Sequence, residues 1–463
     1  MADGLAETRA PDKRGELRAW CALAVSALAV AGVFALLLAL SRTPGIQDVF
    51  PWPLGFFKKG LVIHVIFSFV VWFLAVFGAL MHLAAERMAK CAPRFNSLGR
   101  WGCICVATGF VLLFVPAFLD RGEPSLNNYI PVIIDPLYYG GLVFLALGLA
   151  LPAIRLLLNI PGRAAPFEPL FFGVTMGAVI YPVALAVFWL AFENLAGVAP
   201  SRAFNDDLFW GGGHILQFLN SALMLNAWYL LANLSLTGKG SGPPPGGNLF
   251  KITVGIYLLA VLPTPLFYVY LQPFSAEQRQ IFTSLQYALG PSAAVLAAWI
   301  VARAWRGAAK GGLDRKDPAF LTLILSIVVF GIGGFMGLFA DGADTRTPAH
   351  YHGVIAGVTL SFMGLFYRLF LPLLGAAIKR TRGLYVQIFL FGGGQLIASG
   401  GLFLAGSFGA PRKIAGAAQG LEGLSITGMA LNGFGALLAV TGGVMFIVTS
   451  ARALLNKPAR EQT

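Results

Sequence analysis

Charge is scarce in this sequence. Asp, Glu, Lys and Arg make up 11% of its 463 residues, and only 20 residues are acidic. A water-soluble domain carries about a quarter charged residues, so most of this chain cannot form a solvated globular surface. Histidine occurs five times and cysteine four times. The cysteines are Cys21, Cys91, Cys103 and Cys105, too few for a disulfide-stapled scaffold. No Cys-x-x-Cys-His run occurs, which excludes a covalently attached c-type haem. Cys103-Ile-Cys105 is a weak metal pattern and reads as packing near a helix end, in keeping with the burial habit of free cysteine. No internal repeat is visible, which argues against the inverted-repeat architecture of many transporters.

What the chain has in abundance is apolar length. Hydrophobic residues make up 57% of it and the mean hydropathy is +0.75. Apolar windows long enough to cross a bilayer fall at 18–41, 60–85, 101–119, 137–159, 169–192, 208–236, 251–271, 285–305, 319–340, 350–375, 384–406 and 426–452. The sequence therefore predicts an all-α membrane protein of twelve transmembrane helices, with short tails at 1–17 and 453–463. The first run, Ala19 to Leu40, is too long for a signal-peptide core and reads as a spanning helix. The breaks carry loop residues, as in Ile160-Pro-Gly-Arg163 and the Pro/Gly run 238–247, which is too short to separate domains. With the N-terminus inside, Lys and Arg divide 24 inside to 9 outside, all 33 of them. The positive-inside rule then places both termini in the cytoplasm and makes every even-numbered helix start at the outer side. Topology thus accounts for the net charge of +13, and no nucleic-acid partner is needed to explain it.

The histidines are distributed in a pattern. His64, His214 and the pair His350 and His352 lie near the starts of helices 2, 6 and 10, all running outside to inside. Four imidazoles from three helices at one depth point to a shared site, because ionisable groups inside a membrane are rare and usually functional. His350 and His352 are two apart, so they project about 200° apart and serve different partners on opposite sides of one helix. That arrangement suits one helix ligating two metal centres, most naturally two haems. His82 falls five turns, about 27 Å, beyond His64 on the same face, where no partner histidine remains. It reads as an interfacial polar residue.

Four segments carry a resemblance. His350-Tyr-His352 followed by Gly-Val-Ile-Ala-Gly is similar to the helix-10 HxH segment of haem-copper oxidase subunit I, the superfamily that includes cytochrome c oxidases and nitric oxide reductases. Trp210-Gly-Gly-Gly-His214 resembles its helix-6 W-x-x-G-H segment. Arg279-Gln-Ile-Phe-Thr-Ser284 resembles the R-x-x-F-T-S that leads into helix 8. Pro411-Arg412-Lys413 falls in the outer loop where the family keeps a basic pair near haem propionates. The resemblance implies that His64 and His352 are the axial ligands of a low-spin haem and that His350 is the proximal ligand of a second haem, both b-type or similar. It implies that Arg412 and Lys413 face propionates and that His214 matches the first copper ligand, for copper or another distal metal.

The departures are equally specific. The family's other copper ligands are an adjacent His-His pair at the end of helix 7, and register places Phe267 and Tyr268 there. Copper is poorly supported, since such a centre needs about three nitrogen ligands. Tyr268 becomes a speculative phenol near the distal pocket. Gln217, Asn220 and Asn226 read mainly as polar contacts between helices. The leading function is a haem-binding membrane oxidoreductase, of the cytochrome c oxidase or nitric oxide reductase kind, in a bacterial inner membrane. It would pass electrons from a donor subunit or soluble cytochrome through the low-spin haem to a second haem that binds O2 or NO. The alternative is a non-catalytic haem-binding redox or gas sensor, or an electron-transfer protein, on the same scaffold. A transporter with gating histidines explains the HxH pattern less well.

Overall fold

The computed structural model describes residues 11–46, 54–89, 93–161, 168–236, 246–309, 313–340 and 342–456. Cys91, Arg163, most of the Pro/Gly run 238–247 and the outer parts of both tails lie outside them. Among the described residues twelve helices are long and apolar enough to cross a membrane. They are α1 Arg14–Arg42, α2 Phe56–Met88, α3 Asn96–Phe118, α4 Pro136–Asn159, α5 Phe171–Asn194, α6 Arg202–Leu236, α7 Gly247–Tyr270, α8 Ala276–Ala309, α9 Pro318–Gly337, α10 Arg346–Leu373, α11 Arg382–Ser407 and α12 Leu424–Leu455. Each matches one apolar window of the sequence. Large apolar side chains such as Trp305, Tyr287 and Leu259 stand exposed, as expected where lipid is the solvent.

Several helices outrun their apolar windows, and local chemistry shows why. α8 starts at Ala276 because Ser275 caps it, accepting from the Gln278 backbone N–H at 3.2 Å. The Arg279–Ser284 segment therefore forms the first turns of the helix instead of leading into it. α6 begins at Arg202, with the Ser201 hydroxyl accepting from Phe204 N at 3.1 Å, so His214 sits more than three turns inside it. One turn of α2, Ile66–Val71, directly after His64, is π-helical, as is Phe366–Phe370 in α10. Such turns re-aim the side chains that follow and recur at functional sites.

The chain divides into two compact units. The first comprises Met1–Ala24 and Val70–Leu313. α6 is its centre, with 94% of its apolar window buried. Here α3 packs on α4, α5 on α6, and α7 and α8 against each other. Between α3 and α4 a two-stranded antiparallel hairpin forms, β1 Glu123–Ser125 and β2 Val132–Ile134. Arg121 pairs with Asp135 at 2.8 Å at its base.

α1 begins deeper than the sequence suggests. Glu16, placed in the tail by its charge, lies in α1 and accepts two hydrogen bonds from Arg155, at 2.8 and 2.7 Å. His82 Nδ1 lies 3.3 Å from the same carboxylate and Trp20 donates to it at 3.4 Å. His82 is thus a buried member of a polar network with Glu16 and Arg155.

The second unit comprises Val25–Phe69 and Asp314–Thr463. α10 is its best-buried span, flanked by α9 and α11, and α12 packs along α11. Asp317 caps α9 by accepting from Ala319 N at 2.8 Å and also pairs with Arg368 and Arg380. Arg380 further bonds Asp314 in the α8–α9 loop and holds that carboxyl below its usual range. A lowered folded value means that this contribution is present at neutral pH and fades as pH falls below about 4. Both groups are about half exposed, so Asp314→Asn is expected to cost less than about 1 kcal/mol. Thermal unfolding in detergent at pH 7 and pH 4 checks this, and a large loss at pH 7 would contradict it.

Candidate functional site

The site in the second unit starts from a close helix crossing. Gly333 of α9 faces Gly353 of α10, where a Cβ on either would lie 2.6 Å or less from the other backbone. Only two glycines allow this approach. It brings the Gly333 carbonyl to 2.8 Å from Nδ1 of His350, and the His350 ring occupies the space a side chain at Gly337 would fill. A carbonyl only accepts, so Nδ1 carries the proton and the lone pair of His350 is on Nε2.

His352 projects to the opposite side of α10, as two-residue spacing requires. There its ring meets His64 of α2, with centroids 6.5 Å apart and planes 21° apart. His64 Nδ1 bonds the Ala31 carbonyl of α1 at 3.0 Å, which leaves its lone pair on Nε2 as well. A metal–imidazole bond is about 2.0 Å and a ring centroid lies about 1.1 Å behind its nitrogen, so two imidazoles across one metal atom have centroids roughly 6.2 Å apart. The observed pair fits that spacing. Fixing Nδ1 on a backbone carbonyl, as in His64 and His350, is also what orients a metal-ligating histidine. These residues fit axial ligation of a haem.

Basic groups gather near this side of the unit. Arg412 donates to the Gly342 carbonyl at 3.0 Å, and Lys413 adopts a left-handed backbone with φ of 62°. The sequence reading missed Arg42, at the end of α1. It donates to the Pro411 carbonyl at 3.4 Å and lies within electrostatic reach of His352. Its only sequence signal was its place in an outer loop. Arg346 is occupied with Asp344, at 2.7 Å.

His214 belongs to the first unit and has different surroundings. Its Nδ1 bonds the Trp210 carbonyl of its own helix at 2.7 Å, and its Nε2 meets the Tyr129 hydroxyl at 2.8 Å. Both ring nitrogens are engaged. Phe267 and Tyr268 form part of an aromatic cluster around Phe282, whose ring lies 6.1 Å from that of His214. Gln217 bonds back to its own helix at Gly213. Cys103 and Cys105 are free and lie on different faces of α3. Among the described residues no three His, Cys, Asp or Glu side chains come together to hold a metal ion. The residues around His214 do not fit a copper centre. Tyr129 lies in the loop between β1 and β2 with no motif around it, so sequence reasoning gave no signal for it.

Comparison with known proteins agrees with this architecture. A heme-copper terminal oxidase dimer solved by cryo-electron microscopy matches with a TM-score of 0.76, covering 98% of this chain and 86% of that one. At 16% sequence identity that likeness is one of fold. An uncharacterised protein of Aquifex aeolicus (strain VF5) is 28% identical over 357 residues, 75% of this chain and 83% of the relative. An uncharacterised protein of Rickettsia prowazekii (strain Madrid E) is 22% identical over 502 residues, 94% of this chain and 95% of the relative. The family profile for cytochrome c and quinol oxidase polypeptide I matches residues 17–445. With twelve apolar helices in this arrangement, the chain is an integral membrane protein that belongs to the cytochrome c and quinol oxidase polypeptide I family.

Proposed function

We propose that this protein is a haem-binding membrane oxidoreductase in which His64 and His352 ligate a low-spin haem and His350 a second haem. The observation that carries this reading is the near-parallel pairing of His64 and His352 at a spacing suited to one metal atom. When bound, a bis-histidine haem exchanges single electrons, while a haem with one axial histidine offers an open position to O2 or NO. The chain's own contribution is orientation. Ala31 and Gly333 fix the tautomers of His64 and His350. Arg42, Arg412 and Lys413 provide positive charge suited to haem carboxylates. The electron donor is another subunit or a soluble cytochrome, and the setting is a bacterial inner membrane with both termini cytoplasmic.

The test is haem content with a carbon monoxide difference spectrum on the reduced protein. Two haems per chain, one of them binding CO, is the expected result. His350→Ala should abolish CO binding and retain the low-spin spectrum. One haem without CO binding would overturn the oxidoreductase reading. The second reading, a haem-binding sensor or electron-transfer protein, is favoured by the engagement of both His214 nitrogens. It predicts CO binding without catalytic turnover of O2 or NO.

A further inference from the structure

We infer that His214 takes no copper and instead forms a closed pair with Tyr129, whose hydroxyl occupies the ring nitrogen a metal would need. This goes beyond the haem assignment and does not depend on it.

The hydrogen bonds admit one arrangement of protons. The Trp210 carbonyl can only accept, so Nδ1 of His214 donates. Nε2 is then an acceptor, and the Tyr129 hydroxyl donates to it at 2.8 Å. A cation on Nε2 would have to expel the phenol. A cation on Nδ1 would have to break the bond to the helix and turn a ring that is only 1% exposed.

The position of Tyr129 is built. Asn127 accepts through Oδ1 from the backbone N–H groups of Tyr129 and Ile130, at 3.2 and 2.8 Å, which turns the loop between β1 and β2 toward α6. The ring then lies against Gly213, where a Cβ would come within 2.5 Å of the Tyr129 Cβ. The run Trp210-Gly-Gly-Gly-His214 thereby gains a physical reason, since Gly212 admits Phe188 and Gly211 admits Phe282 in the same way. Trp210 stands edge-on to Tyr129 with centroids 6.0 Å apart, and its indole N–H donates to the Arg279 carbonyl at 3.3 Å. The Arg279 guanidinium lies 5.2 Å from the Trp210 ring and pairs with Asp207. Gln286 of α8 donates to the His214 carbonyl at 3.1 Å. Phe267, Tyr268 and Phe282 supply no imidazole on the remaining side.

Tyr129 is therefore a positioning residue that fixes the His214 tautomer and docks the hairpin loop on α6. The experiment is copper and iron quantification on the full-length protein purified from copper-supplemented cells, with ultraviolet resonance Raman spectra of tyrosine. Copper far below one per chain is expected. Other tyrosines also donate hydrogen bonds, so the tyrosine readout is a difference: wild type minus Tyr129→Phe should carry a hydrogen-bond-donor signature, and wild type minus Gly213→Ala the same one. Iron content should stay at its wild-type level in these variants, which separates this result from any failure of the haem reading. Stoichiometric copper that His214→Gln removes would overturn the inference. So would a Tyr129 difference spectrum without the donor signature, while the copper content of the wild-type protein needs no variant to fold.

Discussion

Replacing His64 or His352 by alanine is expected to abolish the low-spin haem signal in a reduced-minus-oxidised spectrum, with the protein still present in the membrane. The argument rests on the pair's geometry. Two imidazoles at 6.5 Å with planes 21° apart are spaced as two ligands of one shared metal atom would be. If the two hold a haem as proposed, each would supply one of its nitrogen ligands, and loss of either would change the spin state and hence the spectrum. Small exogenous imidazole should restore the signal in the alanine variants. His82→Ala is the control, because His82 sits in a separate network with Glu16 and Arg155 and should leave the haem spectrum intact. An unchanged spectrum in both His64→Ala and His352→Ala would remove the ligand assignment.

The largest effect on stability is expected at Glu16. Its carboxylate is the bidentate partner of Arg155, which is fully buried, and His82 and Trp20 complete its surroundings. Glu16→Ala leaves a guanidinium without its counter-charge, which typically costs about 3–5 kcal/mol in a protein interior. Removing both charges together, Glu16→Leu with Arg155→Leu, should cost much less, because the penalty lies in the orphaned ion and not in the loss of the pair. Thermal unfolding in detergent, with membrane yield alongside, distinguishes the cases. Equal loss in the single and double variants would show that packing, not charge, dominates there.

Both predictions depend on relations that were unequally visible in the sequence. The twelve spans were legible because an apolar run of about 20 residues has one stable solution in a bilayer, and helix length follows from membrane thickness. The opposed projection of His350 and His352 was legible for a similar reason, since helical geometry fixes the angle between residues two apart. Their common depth with His64 followed from span order and the distribution of Lys and Arg.

What the sequence by itself determined was therefore everything governed by local periodicity and by the bilayer: the spans, the all-α class and the histidines worth pairing. Only the tertiary structure decided which groups meet. That Glu16 leaves the tail for a buried arginine, that Arg42 lies within electrostatic reach of His352, and that an unmarked tyrosine claims His214 are contacts between residues 85 to 369 positions apart, set by how helices pack and not by local periodicity.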